Sequence, residues 1–369
     1  MNLTVLEAFY LSNFEAIENA FQQKKLLACE IMGKLPRRSL RPDLVGDRSR
    51  LDLMWNGKGL GVRGSTKQDG SFDFFVVQKP DSASDSIKEL LETWLAEPPP
   101  NLLNLAQVRF RSGWQGIRGI WIDTSNENIQ KLLAEGNWLL GLLEKKIVVE
   151  VGQKHKEVAT DPNRGLKLVP SEPRCWLQGF DQDNRDIPLL SSVSHFSQPG
   201  PESNRSLVAG CLDLLDAHQV PNSISWIEWG SGYGNFTPFL ASRLGPKGLA
   251  TELDPSLGQV LELNKIQFFS SVQIGVQPAE KGPSPDWNPA ELWFLDPPRS
   301  GFGRLLEFLK NPEISRPRFV LVLHCHANGL IADTAILKSS GYKLLDWVNA
   351  DVFPATPHHE VISLWQNSI

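Results

Sequence analysis

Ile224-Ser-Trp-Ile-Glu-Trp-Gly-Ser-Gly-Tyr-Gly-Asn-Phe236 decides how the second half of this chain folds. Six residues rich in branched and aromatic side chains read as a strand, three alternating glycines follow, and Thr237-Pro238 suits the start of a helix. Strand, glycine turn, helix is the order in which an open α/β sheet builds a ligand site, because glycines let the backbone approach a ligand closely. Further strands are expected at 248–253, 292–295, 319–323, 343–348 and 360–365. Helices are expected at 203–218, 237–244, 256–268, 305–309 and 331–339 between them. Such alternation predicts a largely parallel sheet covered on both faces.

The first half reads differently. Residues 1 to about 32 place Leu6, Phe9, Phe14, Ile17, Ala20 and Phe21 at helical spacing. The basic run from Lys34 through Pro42, with Arg48 and Arg50 behind it, reads as a solvated loop, since Pro36 and Pro42 rule out a continuous helix. Strands are expected at 51–55, 72–77, 108–112, 119–123 and 147–151, with helices at 86–96, before Pro98-Pro99-Pro100, and at 127–145. Arg109 and Arg111 would share one strand face. With Arg118 and Trp114 they are candidates for phosphate and base contact, against the plainer reading of a charged outer face. Residues 152–186 look polar and turn-rich. A boundary near Leu189 then divides an α+β region, 1–188, from an α/β domain, 189–369.

Composition sets the outer limits. The chain has 369 residues, 41% hydrophobic and 21% charged, with a net charge of -5. That excludes a protein that coats nucleic acid by bulk charge, and leaves room for a local basic face. Cys29, Cys175, Cys211 and Cys325 lie far apart without paired spacing, so a disulfide framework or a cysteine metal site is not expected. No basic leader or membrane-length apolar run is visible. A cytoplasmic protein is the expectation.

Three further features carry chemistry. Glu252, at the end of the strand after the glycine loop, is placed for ribose hydroxyls. Asn235 stands where a dinucleotide fingerprint wants its third glycine, which turns the reading from NAD toward an adenosine ligand such as S-adenosylmethionine (SAM). Asp296-Pro-Pro-Arg-Ser-Gly301 ends another strand, and its two prolines hold the Asp and Arg side chains in place. Cys325 ends the apolar run Phe319–Leu323, where a thiol is a candidate nucleophile. On that segment alone, a small buried hydrophobe is the better reading.

Taken together, these segments resemble the SAM-dependent RNA (uracil-5-)-methyltransferases. Glu228–Phe236 looks like their SAM loop, Asp296–Gly301 their Asp-Pro-Pro-Arg-x-Gly motif, and Phe353-Pro-Ala-Thr-Pro-His-His-Glu360 their terminal signature; Phe196-Ser-Gln198 matches their Phe-x-Gln segment. The resemblance implies a Rossmann-like class I domain with a seven-stranded, mostly parallel sheet, preceded by a smaller α+β RNA-binding region. It implies Cys325 as nucleophile, Glu360 as general base, and Asp296 and Arg299 at the base. SAM would be held by Gln198, Glu228, Gly230, Gly232, Gly234, Phe236, Glu252 and Asp296. The implied partner is structured RNA, tRNA or rRNA, and the expected form is a monomer. The cysteine spacing matches no iron–sulfur cluster, and no residues precede the first helix to make an OB-type domain, so the layout is nearest the compact branch. The rival readings are an RNA-binding protein that keeps the fold without catalysis, and a methyltransferase acting on another base.

Departures from the family pattern are local. His324 replaces the usual Ser before the cysteine, His326-Ala327 the Asn-Pro after it, and Gly200 a common Asn. His324, His326, His358 and His359 lack a carboxylate or thiol at ligand spacing, so no metal site is expected.

Overall fold

The computed structural model describes residues 14–66, 72–77, 80–99, 106–124, 129–134, 136–152, 156–162, 165–283, 285–287, 290–311, 315–353, 358 and 360–368. The expected helix within 1–13, Pro354–Pro357 and His359 of the terminal signature, and Pro100 lie outside these. Two compact units are present. Asp43–Leu177 and Leu190–Ser203 belong to one, and Ile17–Pro42, Gln178–Leu189 and Asn204–Ile369 to the other. The units therefore interleave along the chain on both sides of the division expected at residues 188 and 189.

In chain order, α1 (Phe14–Met32) and β1 (Arg38–Leu40) lead to β2 (Arg50–Trp55), β3 (Leu60–Thr66) and β4 (Phe72–Val76). Next come α2 (Asp85–Ala96), β5 (Ala106–Ser112), β6 (Arg118–Asp123), α3 (Ile129–Ala134), α4 (Asn137–Glu144) and β7 (Ile147–Val151). β8 (Lys156–Asp161) and β9 (Gly165–Pro170) precede a two-stranded ribbon of β10 (Arg174–Phe180) and β11 (Asp186–Ser191).

The first unit is built on an eight-stranded sheet ordered β4-β3-β2-β5-β6-β7-β8-β9. Neighbours are antiparallel except β6 and β7, whose parallel pairing requires the helical crossover α3–α4. α2 is capped by Ser84, whose Oγ accepts from Ile87 N, and buries Ile87, Leu90, Leu91 and Trp94. Trp94 meets Trp55, Phe110 and Trp138 edge-on, with ring centroids 5.8, 5.6 and 5.3 Å away. Burying a side chain of that size contributes about 2–3 kcal/mol. The stretch expected as turns, 152–186, instead holds β8, β9 and β10. The first two are half-exposed strands at the sheet margin, where apolar alternation is weak.

The second unit follows the predicted alternation. α5 (Pro201–Ala217), β12 (Trp226–Trp229), α6 (Thr237–Leu244), β13 (Gly248–Glu252), α7 (Pro255–Phe268) and β14 (Gln273–Val276) form one wing. β15 (Leu292–Leu295), α8 (Gly303–Leu306), β16 (Phe319–His324), α9 (Ala327–Ser339), β17 (Tyr342–Ala350) and β18 (Glu360–Asn367) form the other. The sheet order is β1-β17-β18-β16-β15-β12-β13-β14, parallel except at β18. Strands β12, β15 and β16 are buried at every position, as a sheet covered on both faces demands. One face packs Ile227, Trp229, Trp293, Val320 and Trp365 with Ala28 and Met32 of α1. On the other, Phe236, Phe239 and Phe294 cluster with centroids 5.3–6.1 Å apart.

Eight strands replace the expected seven because Arg38–Leu40, inside the presumed loop, pairs parallel to β17. Other basic residues of that run are tied down as well. Lys34 bonds Leu345 O (2.7 Å), and Arg37 pairs with Asp213 (3.1 Å). No helix among the described residues is long and apolar enough to cross a membrane.

Candidate active site

Strand register brings the candidate residues to one edge of the second sheet. Trp229 stands level with Thr251 on β13 and with Leu295 on β15, so the glycine loop, Glu252 and Asp296 all leave the sheet at the same level. Sheet order reverses between β12 and β15, the place where such folds bind ligands. On β16, His324 pairs antiparallel with Val361 of β18. The next position outward on each strand is Cys325 on one and Glu360 on the other.

The glycine loop is held from three sides. Gly234 has φ +93°, and a Cβ there would come within 2.9 Å of Leu261 and Phe269, so the turn requires glycine. Beside Gly232 the space is open. Asn235 keeps its amide because Asn204 of α5 needs it: the two side chains exchange hydrogen bonds of 2.9 Å in both directions. Glu252 accepts from the backbone N–H of Gly232 (2.8 Å), Leu253 (2.7 Å) and Asp254 (2.8 Å), which fastens the loop to the end of β13. Gly230 begins the turn, while Phe236 is buried against Phe239 and Phe294 beneath it.

Acidic groups crowd this edge. Glu228, buried on β12, accepts from Thr237 Oγ1 at 2.5 Å. Burial, followed by Asp296 and Glu252, pushes its carboxyl up to about 8. Asp296 is pushed up to about 7 by burial. Glu360 is 2% exposed, its Oε2 has no hydrogen-bond partner among the described residues, and burial and then Asp296 raise it well above the carboxylate range. Cys325 has its Sγ 3.9 Å from Pro297 O. Burial, Glu360 and Asp296 together push its thiol up to about 12, while exposed Arg299 pulls the other way. Burial thus favours the neutral forms of Glu228, Glu360 and the Cys325 thiol in the free protein, while Asp296 titrates near neutrality. A cation placed among them would favour their ionised forms.

The substituted neighbours have structural partners. His326 caps α9, its Nδ1 accepting from Asn328 N at 3.1 Å. His324 is buried with its Nε2 3.1 Å from Asp333 Oδ2, and the same oxygen accepts from Phe302 N (2.9 Å), which ties the Asp296 loop to α9. Among the described residues no group of three His, Cys, Asp or Glu side chains is arranged to hold a metal ion.

Gln198 belongs to the first unit and is buried, with its Oε1 unpartnered among the described residues. Its segment is gripped by charged side chains of the sheet. Arg111 donates to Ser192 O (2.6 Å), His195 O (2.7 Å) and Ser197 Oγ (2.8 Å). Arg109 bonds Ser194 O and His195 O, Arg50 bonds Ser197 O, and Glu150 accepts from Val193 N (2.9 Å) and Ser194 N (3.0 Å). Arg109 and Arg111 thus hold a loop rather than decorate an outer face. Gly200 is explained here too. A Cβ at that position would lie 2.1 Å from Asp47 O, because Asp47 caps α5 through Glu202 N (2.7 Å) and Ser203 N (3.1 Å).

A largely parallel sheet with a glycine loop at its switch point is a Rossmann-like architecture. No family model matches the chain. It is 33% identical over 269 residues to an uncharacterized RNA methyltransferase of Bdellovibrio bacteriovorus, covering 70% of this chain and 67% of that one. It is 26% identical over 330 residues to the 23S rRNA (uracil(1939)-C(5))-methyltransferase RlmD of Haemophilus parainfluenzae, covering 86% and 69%. The crystal structure of Pyrococcus abyssi tRNA (uracil-54, C5)-methyltransferase, in complex with S-adenosyl-L-homocysteine, superposes with a TM-score of 0.67 at 17% identity, over 94% of this chain and 83% of that one. The chain belongs to the RNA (uracil-5-)-methyltransferase family.

Proposed function

We propose that this protein methylates C5 of a uridine in structured RNA, tRNA or rRNA, with SAM as methyl donor and Cys325 as covalent catalyst. The observation that supports the reading is that Cys325 and Glu360 each lie one residue beyond the His324–Val361 pair that ends the β16–β18 ladder, within electrostatic reach of each other and of Asp296. The cluster of buried acids with raised pKa values suits a cationic sulfonium cofactor. Gly230, Gly232 and Gly234 would hold SAM together with Phe236 and Glu228. Glu252 would take its ribose, and Asp296 would face both cofactor and base. When bound, SAM supplies an electrophilic methyl group.

The chain's own groups supply the rest. C5 of uracil is a weak nucleophile until a bond forms at C6. The Cys325 thiol gives up its proton to a neighbouring carboxylate, and Asp296, which titrates near neutrality, is suited to accept it. Sγ then bonds to C6, the C5–C6 π electrons move onto the O4 carbonyl, and Arg299 offsets the charge. Once C5 carries the methyl group, Glu360 removes its remaining proton. The C5–C6 double bond re-forms and the C6–S bond breaks, returning the thiolate. The base must leave its stack first, and the first unit, built on residues 43–177 and 190–203, is the candidate to position the RNA. The expected form is a monomer working in the cytoplasm.

Incubating the protein with SAM and total tRNA or rRNA, followed by nucleoside mass analysis, tests this. 5-Methyluridine is expected with the wild type and absent with Cys325→Ala. Methylation of another base, or an active Cys325→Ala variant, would overturn the reading.

A further inference from the structure

α1 contributes one charged side chain to the interior of the second unit. Lys24 is 5% exposed, and its ammonium donates to Asp351 Oδ1 (2.5 Å), Phe353 O (2.9 Å) and His358 O (3.0 Å). An ammonium has three donors, so all are used. The acceptors share a location. Asp351 follows directly on β17, Phe353 opens the terminal signature, and His358 stands two residues before Glu360. Lys24 therefore ties together both ends of the connection between β17 and β18, whose closing pair is Ala350 with Glu360. Asp351 is itself fixed, 3% exposed and donating its N–H to Leu40 O of β1 (2.9 Å).

The helix that carries Lys24 is anchored independently. Ala28 and Met32 lie in the core, and Arg41 packs 4.4 Å over Phe21 while pairing with Glu18 at 2.5 Å. Burial lowers the lysine's pKa, and Asp351 opposes that. Apolar residues at both position 24 and position 351 would dock the helix without the cost of desolvating two charges. What the ammonium adds is a fixed geometry for three oxygens around the segment that delivers Glu360.

We propose that Lys24 is a positioning residue for the general base: by clamping the β17–β18 connection it holds the Glu360 carboxylate against the C5 proton. This rests on the reading of Glu360 given above. A misplaced base leaves thiol addition and methyl transfer intact and slows only the last step, so methylated RNA stays joined to Cys325. Misplacement by about an ångström costs roughly 100-fold in rate.

The experiment compares wild type, Lys24→Met and Lys24→Gln on two RNAs, with thermal midpoints measured for each. With 5-fluorouridine RNA and SAM, where no proton can leave C5, all three proteins are expected to form the denaturant-resistant adduct at similar rates. With ordinary RNA, both variants are expected to lose 10- to 100-fold in kcat and to accumulate the adduct, Lys24→Gln less because its amide keeps two donors. Equal losses of adduct formation and turnover, normal turnover, or failure of both variants to fold would overturn the proposal and leave Lys24 as part of the scaffold. If the wild type itself gives no adduct with 5-fluorouridine RNA, the underlying covalent reading fails first.

Discussion

At the scale of single residues, burial raises the pKa of three acids of the site, Glu228, Asp296 and Glu360. Glu228 illustrates the consequence. Its pKa rises from the ordinary 4.5 to about 8 in the folded protein, so the folded state binds the proton more tightly than the unfolded one between those values. Its stabilising contribution is complete below pH 4.5 and is lost as pH climbs through 8. The free protein's thermal midpoint should therefore fall between pH 5 and pH 8, and Glu228→Gln should flatten that fall and be the more stable form at pH 8. Activity should move the opposite way: kcat/KM measured from pH 6 to 8 is expected to rise, because the base form of Asp296 appears near pH 7. Cys325, Glu360, Asp296 and the glycine loop were legible in the sequence because each belongs to a short local motif. Lys24 was not, since its partner Asp351 lies 327 residues away and a lone lysine in a helix gives no local signal.

At the scale of elements, apolar continuity made the central strands readable and its absence hid the others. β12, β15 and β16 announce themselves as buried runs, whereas β1 is three residues long, largely polar, and owes its pairing to β17 near the other end of the chain. Helix ends show how the departures are accommodated. His326 caps α9 where the family pattern has Asn, so His326→Ala should cost about 1 kcal/mol in urea denaturation while His326→Asn restores most of it. The clamp on residues 192–197 is a heavier fixture. Arg111→Met would remove the guanidinium donor to the buried Ser197 Oγ and one of the donors to each of the Ser192 and His195 carbonyls, a loss of about 1–3 kcal/mol by the same measurement. An unchanged midpoint would mean that the segment holds itself.

At the scale of the whole molecule, strand and helix alternation was enough to foretell a parallel α/β sheet, and five motifs in one order pointed to the family. The interleaving was not foreseeable. α1 and β1 join the unit built from the chain's second half, and Leu190–Ser203 joins the unit built from its first, because packing across hundreds of residues decides membership and leaves no periodic trace in the sequence. Such interleaving brings Lys24, in the first 30 residues, to Asp351, near the end of the chain. The central claim is the covalent bond between Cys325 and the target base, and 5-fluorouridine RNA tests it most directly. Protein, SAM and that RNA, denatured and weighed by intact mass spectrometry, should give one species: protein plus RNA plus one methyl group, joined at Cys325 and missing in Cys325→Ala. The free masses of protein and RNA alone, or an adduct that survives loss of the thiol, would contradict it.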